Sequence, residues 1–349
     1  NILGVIAERP ELALQGVQMR KFGQEIILAT AGKKVHGTGA IPGGINKNLS
    51  LAERDALLAD LVTMLEWSRK AVALARDYTL RNFEEISGFG SFDSNHLSLV
   101  RADGAMDLYD GKLRAIDAQG EKILDQVDPG AYLDVLSEEV RPWSYMKFPY
   151  LRQLDAADGW FRVGPLARVN VCDFIDTPEA ELARRDFLAV SGGRPSNVTM
   201  AYHWARMIEL LHAAEVIADL LHDADLQGED LVAPAGSRRE EFVAMLEAPR
   251  GTLTHHYRVD DNDQVTMANL IVSTTCNNEA MNRAVGRIAE QKLSGEPVIT
   301  EGLLNNIEVG IRAYDPCLSC ATHALGQMPL EVTLVGADGS EIDRLARPA

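Results

Sequence analysis

Apolar residues recur at three- and four-residue intervals from Pro10 to Ala29 and again from Leu51 to Ile86. That period predicts long amphipathic helices, each of which must bury an apolar stripe against another element. Thr199 to Asp223 repeats the pattern, with Met207, Leu211, Ala214, Ala218 and Leu221 on one stripe and Arg206 and Glu209 placed to pair elsewhere on the helix. Helical spacing returns from Asn278 to Leu293 and from Thr300 to Tyr314. Strand-like alternation is shorter. The runs Ala105–Tyr109 and Lys112–Ile116, split by Asp110-Gly111, predict a hairpin within Leu97 to Ile116. A second pair, Leu253–Val259 and Gln264–Val272, is split by Asp260-Asp261-Asn262-Asp263. The expected class is mainly α with minor β and no internal repeat. The 349 residues, 46% hydrophobic and 24% charged, suit a globular chain with a sizeable core.

Charge and cysteine usage narrow the function. The formal net charge of −17 opposes attraction to phosphate backbones or anionic lipid, so neither nucleic acid nor a membrane surface is an expected partner. Four cysteines, Cys172, Cys276, Cys317 and Cys320, are too few for a disulfide scaffold and point to a reducing, cytoplasmic setting. No apolar run reaches the ~18 residues of a membrane span, and no secretory leader is visible. Asn1 opens in what reads as a helix under way, without an initiator Met, so a longer gene product is expected.

Three features invite a ligand and fail the chemistry. The glycine-rich loop Gly37–Gly44 has no Lys-Ser/Thr pair after it and no strand before it, so it is not a phosphate cradle. The Asp260–Asp263 loop lacks the glycine and distal Glu of a calcium-binding hand. His203 and His212 do not stand four apart and predict no zinc pair, and the acidic stretch Asp223–Asp230 reads as a solvated loop.

Asp315-Pro316-Cys317-Leu318-Ser319-Cys320-Ala321-Thr322-His323 is the most informative stretch. Pro316 disfavours helix at Asp315, so the preceding helix should end there, and Asp315 as N-cap would start a new one with Cys317 in its first turn. At such a position the helix dipole favours thiolate, and spacings of three put Cys317, Cys320 and His323 on one face. A structural zinc site would need a second cysteine pair, which Cys172 and Cys276 do not form in sequence, and a thioredoxin-like pair would need a βαβ context. Soft sulfur donors for a transition metal, completed from elsewhere, suit the pattern best, with two buried cysteines as the plain alternative. In Glu247-Ala248-Pro249-Arg250-Gly251, Pro249 fixes the backbone and Gly251 leaves room, so that the Arg250 guanidinium can be aimed into a cavity or simply stand in a surface turn. Leu270-Ile271-Val272-Ser273-Thr274-Thr275 reads as a strand ending in hydroxyls that can donate to anions.

Together these segments resemble the large, metal-bearing subunit of nickel-iron hydrogenases, most of all the cytoplasmic, bidirectional, NAD-reducing type. The cysteine motif at 315–323 and the Glu-Ala-Pro-Arg-Gly motif at 247–251 carry the likeness. Gly-Lys-Lys-Val-His at 32–36, Pro-Gly-Gly at 42–44, Trp-Ser-Tyr-Met-Lys-Phe-Pro-Tyr at 143–150 and Val-Gly-Pro-Leu-Ala-Arg at 163–168 follow the family order. The resemblance implies the hydrogenase large-subunit fold, a helical core with small β elements. It also implies nickel held by four thiolates, two of them bridging to an iron that carries carbon monoxide and two cyanides. By position Cys317 is the terminal nickel ligand and Cys320 a bridging one. Dihydrogen would be split heterolytically, with the proton taken by a thiolate, that of Cys317. Arg250, Asp315 and Pro249 match the charged canopy over the open metal position, and Thr274 the hydroxyl that hydrogen-bonds a cyanide. His323 with the carbonyl of Leu270 matches a magnesium-like site, and His36 is placed behind the metal ligands.

Two departures accompany the likeness. The family's Arg-x-Cys-Gly-x-Cys motif, source of the other two nickel thiolates, does not occur in these residues. Truncation is the expected reason, and the chain by itself is expected to be inactive. Conversely, Leu325–Ala349 matches a C-terminal extension that a maturation endopeptidase, working with a chaperone, removes after Ala324. Residues 1–324 are therefore expected to form the catalytic body and 325–349 a removable tail, folded as a hairpin around Ala337-Asp338-Gly339. Too few cysteines remain for a cluster chain, since each cluster takes about four. An iron-sulfur small subunit is thus implied, and beyond it flavin diaphorase subunits. The rivals are a hydrogenase with an NADP or deazaflavin acceptor, a noncatalytic relative like the quinone-side subunit of respiratory complex I, and a zinc-binding structural protein.

Overall fold

Long helices carry the chain, as its apolar period requires. The structure is a computed structural model that describes residues 2–144, 146–296, 298–317 and 330–347. It divides into two units, Asn1–Ala75 with Met207–Arg238, and Arg76–Arg206 with Arg239–Ala349.

The first unit is built around the helix Pro10–Ala31 and the opening turns of the helix Leu51–Arg81. Proline in the first turn and Gly32 at φ 75°, whose N–H bonds the carbonyl of Leu28, start and stop the first of these. Ser50 and Glu53 cap the second reciprocally: the Glu53 N–H donates to the Ser50 hydroxyl oxygen and the Ser50 N–H to the Glu53 carboxylate. Phe22, Leu57, Leu61, Met64 and Leu221 form the core of this unit. The helical pattern read to Ile86 breaks after Arg81, and a short helix, Phe83–Gly88, follows. The Gly37–Gly44 loop folds into a minimal hairpin, Ala40–Ile41 against Gly44–Ile45.

The second unit holds most of the β structure. A four-stranded sheet has the order Lys122–Val127, Lys112–Ile116, Asn95–Val100, Phe161–Arg162. A three-stranded antiparallel sheet has the order Val265–Ile271, Gly251–Val259, Glu241–Ala248. Leu97, Leu99, Leu113, Phe161 and Val163 meet Met245, Ile271 and Cys276 in one core.

The predicted hairpin is corrected here. Lys112–Ile116 pairs with Asn95–Val100, while Ala105 and Met106 make only isolated bridges. The carboxylate of Asp107 accepts the N–H groups of Tyr109 and Asp110, which bends the segment that alternation had made a strand. The pairing of Gly251–Val259 with Val265–Ile271 follows expectation, and the third strand, Glu241–Ala248, was not anticipated.

Helices Asn278–Lys292 and Glu301–Ala313 pack through Ile288, Leu293 and Ile307, with Thr300 capping the second. Residues 330–347 form the expected hairpin, Leu330–Val335 against Glu341–Arg347. Val332 rests on that helix pair, and the Asp343 carboxylate accepts the N–H of Ile299 at 2.7 Å. No helix among the described residues is long and apolar enough to cross a membrane.

Candidate metal centre

Two sequence motifs meet backbone to backbone. Ala248 pairs with Gly251 across the three-stranded sheet, so Pro249 and Arg250 form the two-residue tip of a hairpin. Gly164, at φ +90°, precedes the wholly buried helix Pro165–Val171 and lies against that tip. A Cβ on Gly164 would stand 2.7 Å from the carbonyl oxygen of Arg250, and one on Gly251 would stand 2.3 Å from a Val163 methyl. Only glycine permits this approach at both places.

From that helix Arg168 reaches under the tip. Its Nη1 donates to Glu247 Oε2 at 2.8 Å and to the carbonyl of Ala248 at 2.9 Å, and its Nη2 donates to the carbonyl of Pro249 at 3.0 Å. Both side chains are buried, at 2% and 0% exposure. The other oxygen of Glu247 accepts the Thr252 hydroxyl at 2.6 Å and the N–H of Leu99 at 3.2 Å. Burial pushes the Glu247 carboxyl up from the ordinary carboxylate range, against Arg168, Thr252 and Leu99, which favour the ionised form.

Arg250 itself points outward. Its Nε donates to the carbonyl of Asp315 and stands 3.4 Å from the Asp315 carboxylate. Asp315 occupies the left-handed region at φ 50°, and its N–H bonds the carbonyl of Arg312. The helix Glu301–Ala313 ends here as expected, with Tyr314 as its C-cap, and the helix that Asp315 was expected to start would run into residues outside the described ones. Cys317, two residues on, is partly exposed, outside any described helix, and its N–H donates to Thr274 Oγ1 at 3.2 Å. Thr274 is buried in a single helical turn, Ser273–Cys276, rather than at a strand end, and Ser273 donates to the carbonyl of Gly251. A chain of contacts thus gathers Pro249, Arg250, Thr274, Asp315 and Cys317.

Other expected site residues fall elsewhere. Leu270 sits opposite His255 near the end of its strand. Cys320 and His323 lie outside the described residues. His36 belongs to the first unit, exposed and at φ 52°. The roles of Arg168, Glu247 and Ser273 were missed. A charged residue inside the largely apolar run Pro165–Val171 was the available signal for the first.

The donor chemistry at the site, the soft sulfur of Cys317 beside the Arg250–Asp315 charge pair, fits a nickel ligand. Cys172 and Cys276 are buried, and burial pushes both thiols up, that of Cys172 to about 12, which leaves them poor ligands. Among the described residues no three His, Cys, Asp or Glu side chains converge to hold a metal.

Known proteins resemble the chain over most of its length. The model of the nickel-dependent hydrogenase family matches residues 109–323. The chain is 48% identical to the beta chain of the NAD-reducing hydrogenase HoxS of Cupriavidus necator, across 99% of this chain and 72% of that protein. It is 37% identical to one component of the F420-non-reducing hydrogenase of Methanothermobacter thermautotrophicus, across 99% and 73%. Among solved structures, a NAD+-reducing NiFe-hydrogenase in the H2-reduced state superposes with a TM-score of 0.89 at 53% identity, covering 93% of this chain and 71% of that one. The NiFeSe hydrogenase of Desulfovibrio vulgaris Hildenborough shares the fold, with a TM-score of 0.69 at 20% identity over 90% and 70%.

The chain belongs to the nickel-dependent hydrogenase family. Its fold is that family's large-subunit fold, mainly α with small β elements, and its relatives from Cupriavidus and Methanothermobacter are components of multi-subunit enzymes.

Proposed function

We propose that this chain is the catalytic subunit of a cytoplasmic, NAD-linked, bidirectional hydrogenase. It would split and form dihydrogen heterolytically and pass electrons to an iron-sulfur small subunit, with flavin diaphorase subunits beyond. One observation carries the reading: Arg250 bound to Asp315, two residues from a Cys317 whose backbone is tied to buried Thr274. NAD as acceptor is supported by the 48% identity to a NAD-reducing enzyme, against 37% to the F420-non-reducing ones, which favour a different acceptor as the second reading.

A nickel-iron centre with carbon monoxide and cyanide ligands, when bound, supplies the acceptor for the electron pair of dihydrogen. Cys317 and Cys320 are the ligands this chain would contribute, and the other Cys-x-x-Cys pair is not in this sequence. His323 and the carbonyl of Leu270 are proposed for a magnesium ion. The chain's own part is positioning and proton handling. The Cys317 thiolate takes up the proton as the hydrogen–hydrogen bond polarises. Arg250 presents a positive charge that needs no reorganisation, because Asp315 holds its Nε. Pro249 has no N–H to compete for that space. Thr274 Oγ1 accepts the N–H of Cys317, which leaves its own hydrogen to donate to an anionic ligand.

Residues 325–349 are proposed as an extension that a maturation endopeptidase removes from the body formed by 1–324, with a chaperone attending metal insertion. The test is replacement of Cys317 by Ala in the complete complex. Nickel should fall from stoichiometric to background by elemental analysis, and dihydrogen-dependent turnover should vanish with it. Full nickel retention would remove Cys317 from the site, and zinc without nickel in the parent would overturn the function.

A further inference from the structure

We infer that Arg168 is a positioning residue for Arg250: its buried guanidinium clamps the two carbonyls that precede Arg250 and so sets the direction in which Arg250 leaves the hairpin tip. The inference rests on the reading of Arg250 given above. A buried ion pair by itself is weak evidence for stability, since desolvating two charges offsets much of their attraction and an apolar pair of the same volume often does as well. What an apolar pair cannot supply is a donor fork. Arg168 spends one N–H on Glu247 Oε2 and two more on the consecutive carbonyls of Ala248 and Pro249. Glu247 is held in turn by Thr252 and by the N–H of Leu99 from the neighbouring sheet, so the fork is anchored to the core.

The tip is held by a second contact as well. Gly164 closes against the Arg250 carbonyl, and both grips come from one segment, Val163 to Arg168. Beyond the tip, the Arg250 side chain contacts Asp315 among the described residues, and it is 38% exposed. A long, half-exposed side chain has many rotamers, and its aim depends on the backbone it leaves from. The Val-Gly-Pro-Leu-Ala-Arg motif therefore serves the site by holding the backbone from which Arg250 leaves. Lysine cannot replace Arg168, because a single ammonium does not reproduce the planar fork across two carbonyls.

The experiment compares Arg168→Lys, Arg250→Lys and the double variant in the intact complex, with nickel and iron content measured for each. With metals retained, Arg168→Lys should lose on the order of a hundredfold in turnover, as expected for a displaced catalytic group, with the KM for dihydrogen little changed. The double variant should be no slower than Arg250→Lys, because the clamp has nothing left to aim. A crystal structure of Arg168→Lys should show the Arg250 guanidinium displaced from Asp315. Full turnover in Arg168→Lys, or losses that multiply in the double variant with Arg250 unmoved, would overturn the clamp. Full turnover in Arg250→Lys would instead sink the reading of Arg250 itself. If Arg168→Lys fails to assemble, Glu247→Gln is scored by the same three measurements, since it weakens the anchor and leaves the fork in place.

Discussion

His96 shows how far a single residue can depart from its surface behaviour. It lies wholly buried on the strand Asn95–Val100, where desolvation, and after it the nearby Arg162 charge, depress its pKa from 6.5 to about 3. Nε2 meets Asn197 and Ser94, while Nδ1 is buried without a partner among the described residues. The ring is therefore neutral in the fold, whereas in the unfolded chain it gains a proton below about 6.5. Its contribution to stability is complete above that pH and is lost as pH falls toward 3. At pH 5 the loss should be about 2 kcal/mol relative to pH 7. Urea unfolding at the two pH values, with His96→Gln as control, checks this, and equal pH slopes for parent and variant would refute it. The period of the helix patterns gave no hint of this burial. His96 looks in sequence like any polar residue beside Leu97, and only the tertiary packing that brings Asn197 and Arg162 to it removes its water.

Among the elements, the hairpin tip carrying Pro249 and Arg250 was legible as a turn, but its partner was not. Two motifs some eighty positions apart are joined because glycine stands at Gly164 and at Gly251, each with a positive φ. Gly164→Ala places a methyl 2.7 Å from the Arg250 carbonyl in backbone geometry that alanine resists. The expected cost is about 1 to 3 kcal/mol, read as a lowered melting temperature, together with reduced turnover. A variant that melts and turns over like the parent would show that the close approach is dispensable. The element-level errors lie elsewhere along the chain. Asp107 bends a segment that alternates correctly for a strand, and the helical pattern read through to Ile86 breaks after Arg81. At Asp107 a short polar side chain decides, and hydrophobic period does not register it.

Across the whole molecule, the family's catalytic body and its proposed extension meet at a defined surface. The hairpin Leu330–Val335/Glu341–Arg347 sets Val332 on the pair of helices around Ile288 and Ile307, and Asp343 holds the N–H of Ile299. A cleft of about 570 Å³, lined by Val285, Leu293, Ile311 and Leu330 among others, runs along this contact. Intact-mass measurement of the chain from an active complex should find it ending at Ala324. An active chain still ending at Ala349 would refute the proposal that 325–349 is removed.

The sequence by itself determined where the long helices run, which two motifs carry the sulfur and guanidinium groups, and which family the chain resembles; the helices Pro165–Val171 and Pro178–Ala189 were not legible in it. The features it determined are properties of neighbours along the chain, where period and spacing act directly. Only the tertiary structure decided that Arg168 lies beneath Arg250, that Thr274 receives Cys317 and that Asp315 meets Arg250. Those contacts join residues far apart in sequence, and they form because a buried charge must find partners and a glycine lets two backbones touch.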